Sequence, residues 1–70
     1  MTVLVTGASG HIGANLVRTL LQRGERVRVL VRNSTRALDG LDVERLTGDV
    51  RDPDAARRAA AGAEVVVHLA

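Results

Sequence analysis

An α/β fold with a parallel sheet is predicted by three features of this 70-residue chain. Four short apolar runs rich in β-branched residues are interleaved with two segments of helical periodicity, and a glycine-rich turn joins the first run to the first of these segments. Such alternation implies right-handed crossovers between parallel strands. The first and fourth runs are nearly continuous in apolar residues, as expected of strands that helices cover on both faces.

The first half of the chain predicts a strand, a helix and a second strand. The sequence TVLVT predicts a buried strand over 2–6, which a glycine ends. From His11 to Arg23 apolar residues recur four apart, with polar residues between them, so this segment predicts an amphipathic helix that ends at Gly24. The alternating sequence RVRVLVR then predicts a strand over 26–32.

The second half predicts a further strand, helix and strand. A polar, turn-rich connection leads to VERLTG, which predicts a short strand over 43–48. The helix after it has clear start signals, with Asp52 as N-cap and Pro53 at the first helical position, and Gly62 ends it. The continuous apolar sequence EVVVHLA predicts the fourth strand over 64–70.

The composition argues against several classes of protein. Cysteine is absent, so disulfides and thiolate metal sites are excluded, and we expect no metal site. The basic residues are all Arg and the net charge is only +2; without an aromatic residue to stack on a base, we expect no nucleic-acid partner. No signal peptide is recognisable, and no apolar run approaches the roughly 20 residues that span a bilayer. We therefore expect a cytoplasmic protein without a membrane partner.

The stretch VTGASGHIGANL contains three glycines between the first strand and the first helix. Gly7 permits a tight turn out of the strand, Gly10 lets the backbone approach a pyrophosphate, and Gly13 lets the helix pack close to the sheet. The free N–H groups and the dipole at the helix start favour phosphate. A tight turn without a ligand is the alternative, but the position inside a βαβ unit favours dinucleotide binding.

The segment TGASGHIG resembles the T-G-x-x-G-x-x-G motif of extended short-chain dehydrogenases/reductases, the NAD(P)-dependent epimerase/dehydratase family. GDVRDP resembles this family's segment after the third strand, and VVVHLA resembles its fourth strand. The chain is most similar to the dihydroflavonol-reductase-like and sugar-epimerase branches. The resemblance covers essentially all 70 residues and implies the truncated N-terminal part of an NAD(P)-binding Rossmann domain, with no second domain. This part is half of a doubly wound parallel sheet in strand order 3-2-1-4, with helices on both faces and the cofactor crevice between the first and fourth strands.

The resemblance also implies cofactor-binding roles for matching positions. Asp49 would accept a hydrogen bond from the adenine amino group, or would instead only cap a turn, and the Val50 backbone would meet the ring. His68 is expected to be a hydrogen-bonded core histidine rather than a ligand. The pyrophosphate would lie on the glycine-rich turn, at Gly7, Ser9 with its hydroxyl, Gly10, His11, Ile12 and Gly13. The adenine-ribose and nicotinamide-ribose path would lie at the end of the fourth strand, at Leu69 and Ala70.

The end of the second strand predicts NADP rather than NAD. NAD-binding domains carry an acidic residue about 20 residues past the glycines, which accepts hydrogen bonds from the ribose hydroxyls. This chain has Arg32 there, 19 residues after Gly13. A guanidinium only donates hydrogen bonds, so it can bind a 2′-phosphate but cannot accept from a hydroxyl. Arg36 could add a second donor, whereas in the alternative interpretation both Arg side chains simply face water.

Catalytic residues are not expected in this chain. Enzymes of the family that this chain resembles use a Tyr as acid/base and a Lys four residues later, and the chain contains neither residue type. We therefore interpret it as the cofactor-binding part of a longer reductase or epimerase that acts on a carbonyl or nucleotide-sugar substrate. The alternatives are a sensor that binds NADP without turnover and an apolar interaction fragment without a ligand. A small-molecule substrate is expected only in a longer chain, and the fourth strand, as an exposed sheet edge, predicts self-association.

Overall fold

A computed structural model describes residues 1–7, 11–32 and 38–69 of the chain. All six predicted elements are present, and their ends lie within two residues of the predicted ones. In chain order the elements are β1 (Thr2–Thr6), α1 (His11–Gln22), β2 (Arg26–Val31), β3 (Glu44–Thr47), α2 (Pro53–Ala60) and β4 (Val65–His68).

The four strands form one parallel sheet in the order β3-β2-β1-β4. Val3 of β1 lies opposite Val27 of β2 on one side and Val65 of β4 on the other. Val31 at the end of β2 lies opposite Thr47 at the end of β3. The predicted order 3-2-1-4 is confirmed, and within the described residues β3 and β4 are the edges of the sheet.

The two helices cover opposite faces of the sheet, as predicted. Successive strand residues point to opposite faces, so Val5 and Val29 pack with Val17 of α1 on one side. Leu4 and Leu30 pack with Ala59 of α2 on the other. The face under α1 carries the larger cluster of buried side chains, which Leu38 from the connection before β3 completes. Across the described residues, neither helix has the length and apolar character to cross a bilayer.

The helix ends follow the predicted signals. Gly24, with φ of +82°, adopts the left-handed conformation just after α1. At the start of α2, the Asp52 side chain accepts a hydrogen bond from the Asp54 N–H at 3.0 Å, and Pro53 occupies the first turn. Local sequence therefore determines where α1 ends and where α2 begins.

Arg28 connects β2 to the end of α2. Its guanidinium donates to the carbonyl oxygens of Ala59 at 2.7 Å and Ala61 at 2.5 Å, and to Glu44 Oε1 of β3 at 2.9 Å. The Arg28 side chain is only 16% exposed. Because the last carbonyls of a helix lack partners within the helix, this one residue satisfies two of them.

Candidate functional site

The carboxyl ends of all four strands meet at one edge of the sheet. Gly7 follows β1, Arg32 follows β2, Asp49 lies two residues after β3, and Leu69 follows β4. α1 begins at this edge with His11. In open parallel sheets, ligands bind outside these ends where the strand order reverses, which here is the crevice between β1 and β4. The fold therefore brings the described candidate residues to one edge of the sheet, with Gly7 and Leu69 at the crevice itself.

Gly7 is required at this crevice for two independent reasons. Its φ is +73°, a conformation that side chains other than hydrogen strongly disfavour. A Cβ on Gly7 would also overlap the carbonyl oxygen of Leu69 and lie 2.8 Å from its carbonyl carbon. The Leu69 N–H in turn donates to the Thr6 carbonyl at 2.9 Å, so the end of β4 lies directly against the turn after β1.

α1 begins at the same edge of the sheet. His11 is its first residue, and Ile12 is 78% exposed. Gly13 is buried and Ala14 is 2% exposed, in agreement with the predicted close packing of this helix on the sheet. The predicted cofactor residues Ser9, Gly10, Arg36 and Ala70 lie outside the described residues, as does the side chain of His11.

Asp49 closes the turn before α2 through its contacts with Arg51. Oδ1 accepts from the Arg51 backbone N–H at 2.9 Å, and Oδ2 accepts from Arg51 Nη2 at 2.8 Å. The hydrogen bonds from the Arg51 side chain and backbone hold the pKa of Asp49 at about 2, below its ordinary 3.8. Turn capping, one of the two roles considered from the sequence, is therefore present, and the adenine contact stays a prediction.

Arg32 lies close enough to Asp49 for its charge to act there. After the hydrogen bonds from Arg51, the positive charge of Arg32 also contributes to the low pKa of Asp49. Arg32 itself is exposed, and within the described residues its side chain has no hydrogen bond or ion pair. A cation without a described partner therefore stands at the end of β2, where the sequence predicted contact with a 2′-phosphate.

An apolar groove of about 370 Å³ lies beside α2 and β4. Val50 and Val66 line it and are 42% and 54% exposed. On its floor, Thr6 Oγ1 and His68 Nδ1 form a hydrogen bond of 2.5 Å, and Thr6 is buried. The expectation of a core histidine was correct about the hydrogen bond and wrong about burial, because β4 is an edge strand and His68 faces the open groove.

Two functional features were missed in the sequence. The pairing of Arg51 with Asp49 had a usable signal, since a cation two residues after an Asp in a tight turn can reach its carboxylate. The approach of Leu69 to Gly7 had no such signal, because it depends on the register between β1 and β4.

Among residues 1–7, 11–32 and 38–69, no group of three His, Cys, Asp or Glu side chains could hold a metal ion.

Comparison with known proteins identifies related chains. The family model described as "NAD dependent epimerase/dehydratase family" matches residues 3–70. The chain is 57% identical over 72 residues to sterol demethylase protein B of Methylococcus capsulatus, a match that covers 100% of this chain. It is 49% identical over 70 residues to ceramide reductase of Caulobacter vibrioides, which covers 97% of this chain.

A solved structure has the same fold. The UDP-glucose 4-epimerase of Bifidobacterium longum, determined in complex with NAD⁺ and UDP, is 33% identical and superposes with a TM-score of 0.79 over 100% of this chain. The 70 residues match only 22% of the length of each of the two relatives and 24% of the epimerase. The similarity therefore concerns one part of these longer proteins.

Proposed function

Because the chain belongs to the NAD-dependent epimerase/dehydratase family, we propose that it is the NADP-binding N-terminal portion of an oxidoreductase or epimerase. The substrate would be a carbonyl compound or a nucleotide sugar, and the bound nicotinamide would supply or accept the hydride. The observation that carries this proposal is the crevice at Gly7. Gly7 is exposed, and because it has no Cβ the Leu69 carbonyl can lie against it, so the ends of β1 and β4 meet at the edge of the sheet where α1 begins.

The described residues fit a dinucleotide. The first N–H groups of α1 lack partners within the helix and lie at the positive end of its dipole, so they suit a pyrophosphate. We assign Ser9, Gly10 and the neighbouring backbone to the same group, and the ends of β1 and β4 to the ribose path. Asp49 and the Val50 backbone are assigned to the adenine, because both follow β3 at the carboxyl ends of the strands.

We assign the choice of NADP over NAD to Arg32, with Arg36 as a second donor. Arg32 is exposed, and it follows β2 as Asp49 follows β3, so both lie at the carboxyl edge of the sheet. A hydrogen bond to a charged group contributes about 1.5–3 kcal/mol. Since 1.4 kcal/mol corresponds to a tenfold change in affinity, Arg32 should favour NADP by about 10- to 150-fold.

This assignment is tested by titrating NADP and NAD into the full natural chain and its Arg32→Asp variant by calorimetry. We expect the preference for NADP to be lost or reversed in the variant, because the carboxylate repels a phosphate and accepts from ribose hydroxyls. Arg26→Asp is the matched control, since it makes the same charge change on an exposed residue at the opposite end of β2. Equal affinities in the unsubstituted protein, or an unchanged ratio in Arg32→Asp, would show that Arg32 does not recognise the phosphate.

A sensor that holds NADP without turnover is the second candidate function. These 70 residues contain no Tyr or Lys, so the acid/base pair that the family uses would have to lie elsewhere in the full natural chain, and a sensor would lack it there too. The 70 residues alone should therefore turn over neither a ketone nor a sugar nucleotide. Hydride transfer by the full natural chain, together with a Tyr-x-x-x-Lys motif in it, would establish the enzyme and exclude the sensor.

We also propose that the 70 residues associate through β4 when no further chain covers it. β4 pairs only with β1 among the described strands, and Val65 and Val66 are 41% and 54% exposed. An apolar strand with unpaired backbone groups promotes pairing with other chains. Sedimentation of the 70 residues should show concentration-dependent oligomers, and a stable monomer with a sharp cooperative melt would contradict this proposal.

We place the protein in the cytoplasm. The chain contains no cysteine, which agrees with a reducing compartment, where disulfides are rare. Fractionation of cells that express the full natural chain should recover it with cytoplasmic markers, and recovery with the membrane or secreted fraction would contradict this placement.

A further inference from the structure

We infer that Arg51 is a further specificity-determining residue for the phosphorylated cofactor: by pairing with Asp49, it keeps this carboxylate from capturing Arg32. The inference rests on the proposed function of Arg32 and adds a residue that the glycine-rich motif and the strand pattern do not identify. Arg51 acts through its neighbour, so it is a positioning residue.

The sheet places Arg32 and Asp49 side by side. Val31 lies opposite Thr47 in the parallel register, and the Gly48 N–H donates to the Val31 carbonyl at 2.9 Å. Arg32 directly follows Val31, and Asp49 directly follows Gly48, so the two residues lie just beyond this hydrogen bond. A long, exposed guanidinium and a carboxylate at adjacent strand ends would ordinarily form an ion pair.

Arg51 instead holds the carboxylate of Asp49. Its Nη2 lies 2.8 Å from Oδ2, and its Nε lies 3.1 Å from Oδ1 and 3.2 Å from Oδ2. Its backbone N–H contacts Oδ1 at 2.9 Å. Within the described residues, every hydrogen bond to the Asp49 carboxylate comes from Arg51, while the Arg51 side chain stays 77% exposed.

The net charge of Arg32, Asp49 and Arg51 determines how strongly a phosphate is attracted to this edge of the sheet. Arg32 and Asp49 alone sum to zero, whereas Arg32, Asp49 and Arg51 together sum to +1. A phosphate monoester carries a charge of about −1.5 to −2 at pH 7, so it is attracted by the triad and far less by a neutral pair. NAD lacks this group, so its affinity should hardly depend on Arg51.

The experiment measures the ratio of the NADP and NAD dissociation constants in the full natural chain at low ionic strength. In Arg51→Ala we expect NADP affinity, and with it the preference for NADP, to fall about two- to fivefold, the range of an exposed ionic interaction. NAD affinity should change by less than about twofold, and 1 M salt should remove the difference. Arg51→Lys keeps the charge and should retain most of the preference.

Arg57→Ala is the matched control. Arg57 is 79% exposed and pairs with Asp54 at 3.5 Å, so the variant removes the same charge from an exposed Arg that is also paired with an Asp. Arg57 lies on α2, and its removal should leave the cofactor ratio unchanged. A decrease as large as that of Arg51→Ala would mean that net charge alone is measured, which would overturn the inference.

A second variant tests the route through Asp49. In an Asp49→Asn background no carboxylate is left to capture Arg32, so adding Arg51→Ala should change the ratio less than it does in the unsubstituted protein. An undiminished effect, or an equal loss of both cofactors in Arg51→Ala, would overturn the inference. These results are distinct from a failure of the proposed function, in which Arg32→Asp itself leaves the ratio unchanged.

Discussion

Substitution of Gly7 by Ala tests how tightly β4 is joined to the turn after β1. At this position the new methyl group meets two penalties at once. The φ of +73° places the residue in the left-handed region, and the Cβ overlaps the carbonyl oxygen of Leu69. That oxygen belongs to the backbone of a strand end that is hydrogen-bonded to Thr6, so it cannot rotate away as a flexible side chain would.

Gly24 separates the two penalties. Its φ is +82°, but a Cβ there would have no atom within 4 Å. Gly24→Ala should therefore cost only the conformational penalty of about 1–2 kcal/mol. Gly7→Ala should cost this amount plus the about 1–3 kcal/mol typical of an overpacked site, giving a total of about 2–5 kcal/mol.

The assay is urea unfolding of the full natural chain, followed by circular dichroism, for both variants. We expect the Gly7→Ala midpoint to lie well below that of Gly24→Ala, or the Gly7→Ala protein to be unfolded in water while Gly24→Ala remains folded. Equal losses of stability in the two variants would mean that the contact between Gly7 and Leu69 adds no penalty to the substitution.

Three further predictions concern single side chains. Arg28→Ala should lower the free energy of unfolding by about 2–3 kcal/mol, because it leaves carbonyls at the end of α2 without donors. Arg26→Ala, at an exposed site, should change it by less than about 0.5 kcal/mol. Similar losses in the two variants, measured by urea titration, would contradict this prediction. Asp52→Ala should cost about 1 kcal/mol through loss of the N-cap, and an unchanged urea midpoint would show that the cap is not needed. The carboxyl group of Asp49 should titrate near pH 2 by NMR and at higher pH in Arg51→Ala. Because the pKa of Asp49 is lowered in the folded protein, its stabilising effect should be complete above the unfolded pKa near 3.8 and lost as the pH falls towards 2. An identical titration midpoint of Asp49 in both proteins would exclude Arg51 as the cause of the low pKa.

Local sequence signals were sufficient to predict the elements and their order. β1 is a continuous β-branched run, whereas apolar residues of α1 recur four positions apart, and glycines separate the two segments. Neighbouring residues therefore indicate the change from strand to helix. The end of α1 at Gly24 and the start of α2 at Asp52 and Pro53 follow from backbone geometry that few other residues satisfy. The sheet order then follows from the alternation of elements, together with the family resemblance.

Contacts between distant segments could not be predicted in the same way. The alternation of Arg28 with valines predicts a strand but names no partner for its guanidinium, which donates to carbonyls at the end of α2. His68 lies in an apolar run that resembles a core strand, yet it is exposed because nothing within the described residues covers that side of β4. In both cases the environment depends on which element packs over a strand, and the residues of that strand do not contain this information.

A crystal structure of the full natural chain with NADP would show whether the cofactor binds at the carboxyl ends of the strands. We expect the pyrophosphate at the N-terminus of α1 beside Gly7, and the 2′-phosphate about 3 Å from the guanidinium of Arg32. A nucleotide bound elsewhere, or a 2′-phosphate that faces solvent away from Arg32, would contradict it.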